Sequence, residues 1–283
     1  MLMRRLSLYR NKSIIIAPRG EFSPGALQHK AYKKNLYINV IKFFRLYRDL
    51  IWQASSSREK DDILRILSMT AKKIMVAPDL VREPSVTKGL LKVIHCDKKE
   101  PRTLRLIFLS RISRKKNLDY LLRLLGKTKH LIHLSIYGTK EDPIYWAECQ
   151  ALVSNLPSFV TVEFLGEVKP EDVPKVFAKN DVFVFPTLGE NFGHVIYESL
   201  AVGTSVIISD QTFWQADTYG AVKVLSLEEH DAWMREIESF VILKDNQFLA
   251  QREAALNYAR KYSTSNLSLQ SNRVLFRTAL LEK

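Results

Sequence analysis

Three short segments hold residues whose types and spacing could do chemistry. Residues 110–117 (SRISRKKN) carry four basic side chains, and Arg111 and Lys116 could both reach a phosphate group. Taken alone, the segment reads first as an ordinary basic loop. Residues 186–194 (PTLGENFGH) contain a turn with two glycines, and a helix is expected from about Phe192. Backbone N–H groups at a helix start can hold a phosphate oxygen, and Gly193 would let a ligand come close. Glu190 precedes that helix, and Glu198 lies inside it, eight positions on and among apolar residues. A carboxylate there needs donors such as ribose hydroxyls, although a local cap or pair would serve as well. Residues 164–168 (FLGEV) place a glycine at a strand end, where it could open space for a planar base.

Other chemistries find little support. No P-loop, GxGxxG or GxSxG pattern occurs, and there is no Asp-x-Asp pair to hold a diphosphate through a metal. The histidines lack metal-ligand spacing. His194 is an acid or base by residue type, but its place at a helix start favours orienting a ligand over moving a proton. Two cysteines, Cys96 and Cys149, make neither a disulfide framework nor a CxxC pair.

The elements around these segments alternate. Strands are expected at residues 105–110, Leu131–Tyr137, 161–165, 182–186, Ser205–Ser209 and 221–225. Helices are expected at Leu118–Leu125 and at residues 141–155, 173–179, 193–202, 228–240 and 246–262. Strands that are mostly apolar on both faces and alternate with helices imply a covered parallel sheet, an α/β fold. In such sheets ligands sit beyond the carboxyl ends of the strands, where all three segments fall. Before residue 100 the pattern is looser. Residues 13–16 and 73–77 read as strands, and Ser55–Ser57 as a capped helix start. Residues 26–52 read as one helix with Leu36, Val40, Phe43, Tyr47 and Leu50 on its apolar side. The charged, Pro-containing residues 98–102 mark a domain boundary.

The 283 residues carry 43 Lys+Arg and 30 Asp+Glu, with 46% hydrophobic residues, which excludes a disordered chain. No apolar run approaches the ~20 residues of a membrane span, and no signal peptide is seen. The charge is uneven: residues 1–100 hold 21 Lys+Arg against 9 Asp+Glu, a net +12, and the remainder is nearly neutral. A patch this basic attracts nucleic acid, anionic lipid or phosphorylated ligands. The aromatic, basic helix pattern at residues 30–52 could lie on an anionic membrane surface, or could be a packed helix with one wet face.

Together the three segments resemble the donor half of a GT-B glycosyltransferase of family 4, the glycosyl transferases group 1 type, in its bacterial surface-polysaccharide form. Arg111 and Lys116 match its Arg-x4-Lys pair, Phe164-Leu165-Gly166 its Phe-x-Gly, and Glu190-x7-Glu198 its Glu-x7-Glu signature. Residues 201–206 match Ala-x-Gly-x-Pro-Val, with Ser205 in place of the common Pro. Residues 18–27 (PRGEFSPGAL) look like the Pro-Arg-Gly-Met-Leu stretch of the polysaccharide enzymes. The resemblance implies three domains of the chain: a partial, basic acceptor-side domain at 1–100, a complete Rossmann-like nucleotide-sugar domain at 101–262, and a C-terminal helix at 263–283 returning toward the N-terminal part. By the same resemblance, the opening strands of the first domain, its Gly-rich loop and a histidine would be missing, and Met1 would fall mid-domain.

By resemblance, Arg111, Lys116 and Glu190 are the catalytic residues, the first two on the diphosphate and the third on the sugar. Gly166, Glu167 and Val168 meet the base; Asn191, Phe192, Gly193 and His194 meet sugar and phosphate; Glu198 binds the ribose. The expected function is retaining, metal-independent transfer from a UDP- or GDP-sugar to a lipid-linked or saccharide acceptor, in surface-polysaccharide assembly. No cofactor or metal and no nucleic acid are expected. The place is the cytoplasm, with peripheral attachment to the inner face of the membrane as an extension. The alternatives are a non-catalytic nucleotide-sugar binder, including one completed by a partner chain, and a basic membrane- or nucleic-acid-binding protein.

Overall fold

The computed structural model describes residues 13–23, 26–27, 31–44, 50–67, 74–81 and 103–281. The boundary expected at 98–102 and residues 45–49 of the expected long helix lie outside them. The chain divides into two units, one taking in Met1–Leu80, Glu190–Phe192 and Ser265–Lys283, the other Val81–Gly189 and Gly193–Thr264.

The larger unit holds a six-stranded parallel sheet built from β4 (Thr103–Leu109), β5 (Leu131–Tyr137), β6 (Val160–Gly166), β7 (Val182–Phe185), β8 (Ser205–Ser209) and β9 (Val222–Leu225). Their spatial order is β6-β5-β4-β7-β8-β9, so the chain starts at the centre, winds outward, returns and winds the other way. The reversal falls between β4 and β7, where Leu106 and Ile107 align with Val182 and Phe183. Every residue of β7 and β8 is buried, as strands covered on both faces require, while edge strand β6 alternates inward and outward. The helices follow from the sequence by the same logic. In α3 (Leu118–Leu125) five leucines are buried and the charged residues face out. In α4 (Pro143–Ser154) Asp142 caps the start by accepting the Tyr145 N–H at 3.0 Å, with Pro143 in the first turn. The short α5 (Val173–Ala178) and α6 (His194–Leu200) flank β7, and α7 (His230–Val241) and α8 (Asp245–Thr264) complete the layers. Beside the reversal, buried Asp181 accepts from the Arg105 N–H at 2.8 Å and from its guanidinium at 3.1 Å, fastening β4 to the start of β7.

The smaller unit has a three-stranded parallel sheet of β1 (Ile15–Ile16), β2 (Ile51–Ala54) and β3 (Ile74–Val76), with β2 in the middle. Alternation along β2 separates two cores. Trp52 and Ala54 pack with Ile63, Leu67 and Ile74 beneath α2 (Ser57–Leu67). Ile51 faces the other way, onto Ala77 and Leu275 of α9 (Asn266–Leu281). Asn272 of α9 donates to the Pro78 carbonyl at 2.8 Å.

The helix expected over 26–52 differs in two ways. Among described residues α1 runs from Ala31 to Phe43, and Ile51 and Trp52 are strand, because β-branched and aromatic residues buried on both faces satisfy a central strand. The covered side also differs. Ile38 and Ile41 are buried, whereas Leu36, Val40 and Phe43 are exposed together with Tyr32, Tyr37 and Phe44. Two apolar stripes run along this helix, and periodicity alone does not say which one is covered.

Candidate active site

The β4–β7 reversal leaves a crevice beyond the carboxyl ends of the two strands, the place where doubly wound sheets bind ligands. The loops that follow β4 and β7 are stitched together there. The Leu188 N–H donates to the Lys115 carbonyl at 2.8 Å, the Asn117 side chain donates to the Pro186 carbonyl at 2.9 Å, and the Thr187 hydroxyl donates to the Lys115 carbonyl at 3.2 Å. Asn117 takes a left-handed conformation, φ 61°, between the single turn Arg114–Lys116 and α3. Asn tolerates that region better than most residues. The structure thus brings the basic loop and residues 186–188, which follow β7, to one place within the larger unit.

Three of the four bases of residues 110–117 show distinct settings. Arg111 is exposed and meets Glu141 at 2.8 Å. Such a solvent-exposed pair contributes only about 0–1 kcal/mol, so a multivalent anion can displace the glutamate. Arg114 is committed to α4: it forks onto Glu148 at 2.9 and 2.6 Å and lies over the Tyr145 ring. The Glu148 hydrogen bond holds the Arg114 guanidinium above its ordinary pKa, and Arg114 holds the Glu148 carboxyl below the usual range. Lys116 is 7% exposed, with its ammonium 5.2 Å from the centre of the Phe185 ring at the end of β7. A cation held this deep strengthens attraction for an incoming anion, because less water screens it.

Gly193, buried and at φ 75°, ψ 59°, leads into α6, which begins at His194 and not at Phe192. The left-handed conformation explains the glycine. Glu198 sits one turn after His194 on α6. Surrounding protein pushes its carboxyl pKa up, and the charge of His194 pulls it partly back. Solvent still reaches this side chain, so it can meet a ligand. Behind α6, Tyr197 joins a cluster with Trp214, Phe213, Tyr258 and Tyr262 that fixes the helix against α8.

Gly166 ends β6, two strands from the reversal, on the order of 10 Å away at the usual strand spacing. Its φ is 72°, and a Cβ there would meet nothing within 4 Å. Glu167 and Val168 follow in the connecting loop, Glu167 exposed and Val168 half-buried. Glu190, Asn191 and Phe192 belong to the smaller unit. The Asn191 N–H donates to Glu190 Oε1 at 3.2 Å, and Phe192 is buried.

Two residues outside the expected set shape the site. Gly138 ends β5 at φ 140°, and its N–H donates to the Gly166 carbonyl at 2.8 Å. A Cβ there would fall 1.8 Å from the Ser110 carbonyl oxygen, so only glycine lets residues 110–112 lie along residues 137–140. Its position at a strand end was the available signal. Glu141, the partner of Arg111, gave none. Among the described residues, no group of three His, Cys, Asp or Glu side chains could hold a metal ion.

The glycosyl transferases group 1 model matches residues 97–262. An uncharacterized glycosyltransferase of Methanocaldococcus jannaschii is 27% identical over 180 residues, 59% of this chain and 43% of that protein. The O-antigen chain mannosyltransferase B of Escherichia coli is 31% identical over 86 residues, 30% of this chain and 22% of that protein. The structure of HepE from Anabaena in complex with UDP-glucose matches with a TM-score of 0.73 at 16% identity, over 96% of this chain and 73% of HepE. The chain spans less than half the length of these curated relatives. A family match over more than half of the chain, centred on the crevice and the motif residues around it, establishes that the chain belongs to the glycosyl transferases group 1 family, with its GT-B fold.

Proposed function

We propose that the chain transfers a sugar from a UDP- or GDP-sugar to a lipid-linked or saccharide acceptor in surface-polysaccharide synthesis, with retention and without metal. The observation that supports this reading is the joining of the basic loop, through Lys115 and Asn117, to residues 186–188 at the reversal of the sheet. Arg111 and Lys116 bind the diphosphate and stabilise the charge that grows as it leaves. The first-turn amides of α6 add partial positive charge, and Glu198 accepts from the ribose hydroxyls. Gly166, Glu167 and Val168 line the base end. Glu190, with Asn191 and Phe192, holds the sugar hydroxyls. The bond from the anomeric carbon to the diphosphate breaks, the bond to the acceptor oxygen forms, and the acceptor proton passes to the departing diphosphate.

The acceptor side of the reading is a membrane. The exposed apolar side chains of α1 span about 140° of its circumference at 3.6 residues per turn. Lys33 lies within that arc, and Lys34 and Lys42 lie outside it. This face suits the headgroup layer of an anionic bilayer. No described helix is long and apolar enough to cross a membrane. The test is a panel of radiolabelled UDP- and GDP-sugars with EDTA and anionic vesicles carrying extracted lipid acceptors. The expected result is donor turnover that Arg111→Ala and Glu190→Ala each abolish. Turnover that survives both changes would overturn the site. Nucleotide binding without turnover would leave a non-catalytic binder, or one that needs a partner chain.

A further inference from the structure

Glu59 stands apart from the site residues, yet its carboxylate organises the segment that contains Glu190. It lies in the first turn of α2 and is 5% exposed. The Ser56 hydroxyl accepts the Glu59 N–H at 3.2 Å, which is half of a capping box. The other half would return the carboxylate to the Ser56 N–H. Instead Glu59 Oε2 accepts from the Ser55 N–H at 2.7 Å and the Ser55 hydroxyl at 2.8 Å, while Oε1 accepts from the Gly20 N–H at 2.6 Å. The carboxylate has been diverted from a local cap to a tertiary junction.

That junction reaches Asn191. The Asn191 side-chain amide lies 2.9 Å from Ser55 Oγ. The Ser55 hydroxyl stands between Glu59 Oε2 and Asn191 Oδ1, within donating distance of both acceptors, and its one proton serves the two of them. Asn191 also packs on the Gly20 turn, where a Cβ would come within 3.2 Å of the Asn191 Cβ; Gly20 has φ 84°. Both sides of the Asn191 side chain are thereby set by groups that Glu59 holds. The backbone N–H of the same residue donates to Glu190.

We propose that Glu59 is a positioning residue that acts through Ser55 and Asn191 to fix the orientation of Glu190. The inference rests on the glycosyltransferase reading only for its catalytic consequence, and the experiment separates the two. Glu59→Gln keeps the shape but brings an amide against three donors. Ser55→Ala keeps both backbone bonds to Glu59 and removes only the link to Asn191. Hydrogen exchange by mass spectrometry on the full chain, without any donor, reads the peptide spanning 187–193. Exchange there is expected to speed up at least tenfold in both variants, with peptides from β7 and β8 unchanged. In wild-type-active preparations, donor turnover should fall about 10–100-fold, as when outer residues that orient a site are lost, while nucleoside diphosphate affinity stays within twofold. Adding Asn191→Ala to either variant should speed exchange at 187–193 no further. Unchanged exchange at 187–193 in a folded Ser55→Ala protein overturns the proposal, as does a further acceleration of that exchange in the double variants. Faster exchange in a protein whose wild type turns over no donor keeps the positioning network and refutes the catalytic reading instead.

Discussion

Replacing Gly138 by alanine tests whether the crevice is built by one close backbone approach. The added Cβ would lie 1.8 Å from the Ser110 oxygen and 2.7 Å from its carbonyl carbon, with Arg111 N at 3.4 Å. Contacts below 3.0 Å are essentially never tolerated, so the carbonyl must retreat by at least 1.2 Å. Two hydrogen bonds hold it in place: Ser110 N–H to the Tyr137 carbonyl at 3.0 Å and Ile112 N–H to the Thr139 carbonyl at 2.8 Å. Losing both costs about 1–3 kcal/mol. A φ of 140° adds about 1–3 kcal/mol for a residue with a side chain. The sum is about 2–6 kcal/mol, which lowers the melting temperature by roughly 5–20 °C for a unit of this size. Because Arg111 follows Ser110 directly, nucleoside diphosphate affinity should fall at least tenfold. Gly166→Ala is the control. It has positive φ but open space around it, so its cost is only about 1–2 kcal/mol. Thermal denaturation and calorimetric titration on both variants would decide the matter. If Gly138→Ala melts no lower than Gly166→Ala and binds nucleotide as tightly as the wild type, the close approach does not shape the site.

Other outcomes follow from the same geometry. Glu141→Ala removes a competitor for Arg111, so calorimetry should show nucleoside diphosphate binding equal to or up to about threefold tighter than wild type, with stability changed by no more than about 0.5 kcal/mol. Glu198→Gln should raise the melting temperature at neutral pH while weakening nucleotide binding. The folded-state pKa of Glu198 is raised, so its ionised form is penalised in the fold above that pKa; the advantage of Gln should shrink as pH falls through it. A melting-temperature difference that grows toward acid pH would contradict this sign. Trp214→Ala, which empties the cluster behind α6, should cost about 3–5 kcal/mol in denaturant titration.

Much of the larger unit was legible because its local signals agree with its global fold. Runs such as VFVF and SVIIS sit where both faces of the sheet are covered, and the leucines of α3 mark its buried side. The motif spacing singled out Arg111, Lys116, Gly193 and Glu198 as candidates because their segments follow strand ends, where sheets of this topology bind ligands. Their settings were less legible. Nothing in the spacing separates Arg114, locked onto Glu148, from Arg111, held only by an exposed pair, because those partners lie on a helix reached through tertiary packing. The smaller unit was harder. In α1 two apolar stripes compete, and only the packed structure shows that Ile38 and Ile41 face inward. The role of Glu59 left no signal, because its partners, Gly20 and Ser55, include one that is 39 residues away in sequence.

The central claim is that a nucleoside diphosphate binds at the sheet reversal through Arg111 and Lys116. Isothermal titration of UDP, GDP and ADP in EDTA, into the wild type and the Arg111→Ala/Lys116→Ala double variant, tests it most directly. The account predicts one binding event per chain for at least one of the three nucleotides, weakened at least a hundredfold in a double variant that still melts cooperatively. Equal binding by the two proteins, or no binding by either, would contradict it.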